Sequence, residues 1–409
     1  MAPAPRFSYL LGMLGRLLGT ALAGVLLTSA PMGCGGSGAQ VKTSSAKKKK
    51  SERSNLLLEA RKEAKAGEVE SADKAYAAAY DVDKEFPILE ERIDFLDRSG
   101  RAQKAEDISK RYYDEHPTEA RAYALYAEAL LSNHKGQEAL EVAEQLLGLS
   151  EDDAVGHERK GRALMLLDKN QEGIEELRTA VKLDPKSALM HMSLGNALHD
   201  DKQVNEAALE FRAALKYAPD DSMVNALLGM ALRDQNELDE SRQYLDKALE
   251  LDPDNGRAYF ELGLLLNVQG KQADAEIALS KAVQKSPNNS TFWYAYGEIY
   301  RLQDRLDEAM TAYTKAVDLD PPHPKAIAKL GILLVERKDW KEAEAVLTRA
   351  ARRDPKNAVI YLHLGAVYAA TRRNRIAIEN FQKFLELAPA NDPDRDRAQD
   401  AIKELKRRR

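Results

Sequence analysis

The sequence predicts an all-α solenoid of about ten antiparallel helix pairs closed by a C-terminal helix, and three observations carry that prediction. Glycine recurs in steps of 34 at Gly161, Gly195, Gly229, Gly263, Gly297, Gly331 and Gly365. Proline keeps step with it at Pro185, Pro219, Pro253, Pro287, Pro321, Pro355 and Pro389. Between one proline and the next, apolar residues keep helical spacing with a single short polar break, which reads as two helices and a tight turn.

The unit over residues 290–323 shows why this spacing is physical. Trp293, Tyr296, Ile299 and Tyr300 share one helical face, then Gln303, Asp304 and Arg305 break the pattern, then Leu306, Ala309, Tyr313, Ala316 and Val317 resume it. Gly297 and Ala309 are small where the two helix axes would cross, so the backbones can approach while Trp293 and Tyr313 fill the space beside them. Pro321, lacking an amide hydrogen, stops the second helix and re-aims the chain.

Trp293, Tyr296, Gly297, Tyr300, Ala309, Tyr313, Ala316 and Pro321 together resemble the tetratricopeptide repeat, a helix-turn-helix unit of 34 residues. Tyr296 stands where that family usually has leucine. The resemblance implies a right-handed superhelical solenoid whose first helices line a concave wall.

Taken in order, residues 1–33 contain no acid, carry Arg6 and Arg16, and run apolar over 17–27 before small residues and Cys34, the chain's only cysteine. This is the pattern of a secretory signal, too short in its apolar run for a membrane span. Gly33-Cys34 followed by Gly-Gly-Ser-Gly resembles the junction of a bacterial lipoprotein, in which the cysteine is acylated and becomes the new amino terminus. Pro31 and Met32 depart from that family's pattern, and cleavage after Ala30 or an incidental cysteine are the alternatives. Residues 34–52 are Gly, Ser, Ala and Lys without apolar periodicity, which predicts a flexible tether whose lysines 47–50 either stay solvated or touch anionic head groups.

Residues 53–153 hold three degenerate units, marked by Ala60, Ile93 and Ala127 at the glycine position and by Ala72, Tyr76, Ala79, Ala105, Tyr112, Ala139 and Ala143 on their second helices. Seven strong units occupy 154–391, with Gly173 and Ser241 at the second small position of two of them. Residues 392–409 form a cap, in which Ala398, Ile402 and Leu405 share a helical face expected to meet Phe384.

Composition and spacing exclude several functions. A net charge of −5 argues against a nucleic-acid binder, and a lone cysteine leaves no internal disulfide. The seven histidines are scattered without a metal-binding spacing, the repeated glycines lie inside helices rather than in a phosphate loop, and the repeats leave no stretch of domain size for a catalytic module. No catalytic residue, cofactor or metal is therefore expected.

Function is expected on a surface. By the resemblance, positions three before, one after and four after each glycine point into the groove. In the middle of the array these supply Met192, Met230, Phe260, Leu264 and Tyr294 for apolar contact and Asn196, His199, Arg233, Asn267, Glu298 and Arg301 for polar contact. That mixture suits an extended or helical peptide from a partner protein. A carboxylate clamp of the kind found in chaperone-binding members needs Lys and Asn at the first two positions, and no unit has that combination. The expected role is a non-enzymatic, lipid-anchored scaffold facing the periplasm from the outer membrane, assembling a pilus, secretion or motility machine. The alternatives are a soluble periplasmic or secreted protein, and a regulatory arm for a separately encoded cell-wall or polysaccharide enzyme.

Overall fold

The rhythm of 34 resolves into helices whose ends are set by side chains repeating at the same interval. The computed structural model describes the backbone of residues 38–319 and 323–407, and their side chains from 48 onward except at 324 and 353. Residues 1–33, where a signal is expected, Cys34, Pro321 and the last two arginines lie outside the described residues.

The chain divides into two compact units. The N-terminal unit, through Ala218, holds α1 (Gly38–Ala66), α2 (Val69–Asp83), α3 (Phe86–Arg98), α4 (Ala102–Glu115), α5 (Ala120–Ser132), α6 (Gly136–Leu149), α7 (Ala154–Leu166), α8 (Asn170–Leu183), α9 (Ala188–Asp200) and α10 (Val204–Tyr217). The C-terminal unit, from Pro219, holds α11 (Ser222–Asp234), α12 (Leu238–Leu251), α13 (Gly256–Val268), α14 (Gln272–Lys285), α15 (Ser290–Leu302), α16 (Leu306–Leu319), α17 (Pro324–Glu336), α18 (Trp340–Arg353), α19 (Ala358–Ala370), α20 (Asn374–Leu387) and α21 (Arg395–Arg407). Each unit is a stack of five helix pairs, odd with even, and α21 closes the second. Among the described residues there is no strand, so the fold is the all-α solenoid that the sequence predicts.

Three repeated devices build the pairs. The residue before a first helix caps it: Asp153, Ser187, Asp221, Asn255, Asn289 and His323 each accept from a backbone N–H two or three residues on, at 2.8 to 3.4 Å. Such caps satisfy amides that the helix leaves unpaired. Four residues before the glycine position a side chain donates back across the inter-pair turn: Tyr123, His191, Asn225, Trp293 and Tyr361 reach the carbonyls of Pro117, Pro185, Pro219, Pro287 and Pro355 at 2.7 to 3.3 Å. Tyrosine, histidine, asparagine and tryptophan share only a donor at the right height, and the proline carbonyl can only accept.

The third device closes the turn inside each pair. One residue there is left-handed, with φ between 58 and 80°, at Gly67, Gly100, His134, Asp168, Lys202, Asn236, Gly270, Asp304, Lys338 and Arg372. Where this residue is not glycine, its Cβ crowds the following carbonyl. Lys202 is exposed, so Lys202→Gly is expected to raise stability by about 0.5–1 kcal/mol in chemical denaturation. A fall instead would show that the lysine side chain makes a stabilising contact.

Helix crossings are as close as the small residues allow. A Cβ built at Gly297 would lie 2.6 Å from the Tyr313 ring and 3.3 Å from the Ala309 carbonyl oxygen. Ser241, where alanine is usual, donates its hydroxyl to the Gly229 carbonyl of the paired helix at 2.7 Å. Within each unit, successive first helices touch while second helices pack together less, which makes the first-helix side the inner face. At the C-terminal end Phe384 is buried with Ala398, Ile402 and Leu405 of α21.

Of the tether read at 34–52, residues 34–37 lie outside the described residues, and from Gly38 the chain is helical without a break at 53. No proline or glycine follows Gly38 until Gly67, and Ala, Lys, Gln and Glu are good helix formers even without an apolar face to bury. Lys48, Lys49 and Lys50 are exposed on this helix, and burial begins only where Leu57 and Ala60 meet Ala75 and Tyr76 of α2.

Candidate functional site

The eleven groove positions all lie on first helices, but on both units. Met192, Asn196 and His199 are on α9 of the N-terminal unit. Met230 and Arg233 are on α11, Phe260, Leu264 and Asn267 on α13, and Tyr294, Glu298 and Arg301 on α15 of the C-terminal unit.

Three of them are core rather than surface. Met192, Met230 and Phe260 are only 1%, 4% and 8% exposed. At Met230 and Phe260 the next first helix covers the side chain. Phe260 accordingly stacks on Phe292 of α15 at 4.5 Å between ring centroids, and the Met230 sulfur accepts from Arg257 Nη2 at 2.9 Å. Arg233 is also engaged: it pairs with buried Glu261, to which Arg257 Nε donates at 2.6 Å, and with Asp234 at 2.8 Å. Burial alone would lower the Arg233 pKa, but the charges of Glu261 and Asp234 outweigh it and raise it.

Asn196, His199, Leu264, Asn267, Tyr294, Glu298 and Arg301 remain half-buried. Of these, Tyr294, Glu298 and Arg301 share one polar cluster on the C-terminal unit. The Glu298 carboxylate accepts from the Tyr313 hydroxyl and from Arg301 at 3.1 and 3.3 Å, and Lys329 Nζ lies 3.8 Å away. Burial pushes this carboxyl up, and Arg301, Tyr313 and Lys329 together pull it below its ordinary value. Tyr294 leans over the same cluster, its ring 5.9 Å from Tyr313 and 5.2 Å from His323, and burial followed by the Glu298 charge raises its hydroxyl to about 12. The result is a held group of a phenol, a carboxylate and a guanidinium on α15, with Leu264 and Asn267 half-buried on α13. The C-terminal unit also has an open cleft of about 310 Å³ among Arg242, Tyr259, Leu262, Leu266, Ile277 and Lys281, and none of the groove positions lines it.

The N-terminal unit contains a charged network that the reading of groove residues missed. Arg162 on α7 donates to both oxygens of Glu128 on α5, at 2.6 and 2.9 Å, and lies 3.3 Å from Glu158. Arg159 Nε is 3.0 Å from Glu128, and its other end pairs with Glu158. Ser193 on α9 completes the set by donating to Glu158 at 2.6 Å. All five residues are buried. Burial would raise the Glu128 carboxyl, but Arg159 and Arg162 overwhelm it and hold it well below the ordinary carboxylate range. A signal was available: Glu128 and Arg162 stand 34 apart with opposite charge, at the same position of consecutive pairs. Among the described residues no group of three or more His, Cys, Asp and Glu side chains could hold a metal ion, and no helix is long and apolar enough to cross a membrane.

Comparisons with known proteins bear on the whole array. A family model described as a tetratricopeptide repeat matches residues 158–222 and 226–290, and one described as the tetratricopeptide domain of cytochrome c-type biogenesis protein H matches 271–395. No curated protein matches the chain. Among solved structures, yeast Tom70 aligns at a TM-score of 0.53 and 16% identity, covering 88% of this chain and 96% of its own. The Cut9-Hcn1 hetero-tetramer of the APC/C aligns at 0.53 and 15%, covering 82% of this chain and 58% of that one. Human IFIT1, solved as a dimer with PPP-AAAA, aligns at 0.51 and 17%, over 83% and 90%. At these identities the likeness shows the fold alone, and it agrees with the glycine register, the capped helix pairs and both family models: the chain is a tetratricopeptide repeat protein.

Proposed function

We propose that this chain is a non-enzymatic, lipid-anchored scaffold of a bacterial envelope, which binds segments of partner proteins on the inner faces of its repeats and helps assemble a pilus, secretion or motility machine. One observation carries the binding part: Leu264, Asn267, Tyr294, Glu298 and Arg301 are half-buried on the first helices of adjacent pairs, and Tyr294, Glu298 and Arg301 are held by their own contacts. A face ordered in advance loses little side-chain entropy when a peptide arrives. The acid-free leader and Gly33-Cys34 support the anchor, and the resemblance of 271–395 to a biogenesis protein's repeat domain supports an assembly role.

Capture of partners from detergent extracts tests the reading, with Asn267→Glu combined with Arg301→Glu as the probe. Both side chains are half-buried, so the face changes while the core does not. The captured proteins are expected to fall at least tenfold with the helical signal unchanged; undiminished capture would remove the face from the account. Labelled fatty acid is expected on the wild type and to be absent from Cys34→Ala, and equal label on both would remove the anchor.

A further inference from the structure

Tyr259, Leu262 and Leu266 recur at intervals of three and four and share one face of α13, turned away from the groove positions Phe260, Leu264 and Asn267. On that face they floor the open cleft of about 310 Å³, whose walls include Arg242 of α12 and Ile277, Ala278 and Lys281 of α14. The register explains why the cleft is open. Position 15 after the glycine holds Glu176, Glu210 and Tyr244 in the three preceding pairs. Glu176 and Glu210 meet His157 and His191, four before their glycines, at 2.7 and 2.6 Å. In this pair the same two positions are Ala278 and Tyr259, so a methyl group stands where a longer side chain stands in the others.

Three observations separate the cleft from an ordinary irregularity of the surface. Tyr259 holds the position from which Tyr123, His191, Asn225, Trp293 and Tyr361 donate to a proline carbonyl, yet its hydroxyl has no hydrogen-bond partner among the described residues. Ile277 is 59% exposed at the edge of a floor of buried leucines, so an apolar wall stands in water. The charge is also unbalanced. Among the described residues Lys281 has no ion-pair partner, its ammonium lying 5.1 Å over the Tyr259 ring, and Arg242 meets Asp246 through Nε alone, at 2.8 Å, leaving both Nη groups without an acceptor. Asp274, the acid of the lining, sits in the first turn of α14, where the helix dipole already favours it.

We propose that this cleft docks a segment of a partner polypeptide in which an apolar side chain is followed by an acidic one. The apolar side chain lies over Leu262, Leu266 and Ala278 against Ile277, and the carboxylate is met by Lys281, the Tyr259 hydroxyl and the Arg242 Nη groups. An open cleft at the low end of the ~300–1,000 Å³ of ligand pockets suits side chains offered by a segment lying across it better than a small molecule that needs enclosure. This goes beyond the inner-face reading, because none of the groove positions lines the cleft.

The test is fluorescence anisotropy of the full chain in detergent with a labelled peptide, Gly-Ser-Leu-Phe-Asp-Glu-Ser-Gly. Two comparison peptides carry Lys-Lys in place of Asp-Glu, or Ser-Ser in place of Leu-Phe. Binding of the first alone is expected. Ala278→Tyr, which gives this pair the residue type that Tyr244 supplies to the preceding one, should weaken it at least tenfold with the helical signal unchanged. Ile277→Ser with Lys281→Glu, at two exposed positions, should do the same, and Lys315→Glu, an exposed site on α16 with the same change of charge, should have no effect. Equal weakening by Lys315→Glu would mean diffuse attraction and overturn the site, as would absence of binding, equal binding of either comparison peptide, or no effect of the cleft variants. Asn267→Glu with Arg301→Glu should leave this binding intact; loss there and not in the cleft variants would move the peptide to the inner face. The capture experiment decides the scaffold reading by itself.

Discussion

Glu128→Leu is expected to destabilise the N-terminal unit by about 3–5 kcal/mol, because it leaves Arg159 and Arg162 buried beside a single remaining carboxylate. Removing one member of a buried ion pair is far more damaging than removing both, since the survivor keeps its desolvation penalty without its attraction. Glu128→Leu with Arg162→Met should therefore regain most of the loss, leaving the Arg159 and Glu158 pair intact. The two tryptophans, Trp293 and Trp340, both lie in the C-terminal unit, so their fluorescence reports only that half. In urea, the circular dichroism transition should move to lower concentration for Glu128→Leu while the tryptophan transition holds. Failure of the double variant to recover would indicate that lost packing, not unpaired charge, is responsible.

The same network sets an acid response with a definite sign. The Glu128 carboxyl lies below its unfolded value, so its contribution is complete above that value and is lost as pH falls through the folded one. Asp97, raised to about 6 by burial and Glu128, against Ser132 and Arg162, works in the opposite sense. Its protonation between pH 6 and 4 relieves the native state. The wild type should gain a little stability in that interval and lose it below, and Glu128→Leu should lose less below it.

Much of this architecture is legible in the sequence, because glycine and proline report backbone geometry directly. Gly297 marks a crossing, Pro287 an inter-pair turn, and Asn289, two residues on, the cap. Side-chain exposure on the inner face is not legible in the same way. Met192, Met230 and Phe260 look like an adaptable apolar surface until the separation of successive first helices is known, and that separation depends on the neighbouring pair's side chains as well. Charge is harder still. Glu128 and Arg162 sit in separate pairs, and only the register of 34 makes them neighbours. The helix from Gly38 was hidden because it has no apolar stripe in its first turns to betray it.

The register also dictates which glycines can change. Gly161→Val is expected to destabilise the N-terminal unit by about 3 kcal/mol, the upper end for overpacking. A Cβ at Gly161 would lie 2.6 Å from Leu177 Cγ and 2.9 Å from the Gly173 carbonyl oxygen, and a Cβ at Gly173 would lie 2.8 Å from the Gly161 carbonyl oxygen. Leu177 can rotate, but a helix backbone cannot, so α7 and α8 must separate and open the core between them. The gain in helix propensity over glycine, under about 1 kcal/mol, is too small to offset this. Two other glycines calibrate the measurement. Gly331 would bring its Cβ to 3.1 Å from Leu347 Cδ2 and no closer than 3.6 Å to anything else, so Gly331→Ala should be nearly neutral. Gly148, within α6, has nothing within 4 Å of its Cβ position, so Gly148→Ala should stabilise by about 0.5–1 kcal/mol through the unfolded chain alone. If Gly161→Val proved as mild as Gly331→Ala in urea denaturation, the close approach of paired axes would not be what the repeated glycine is for.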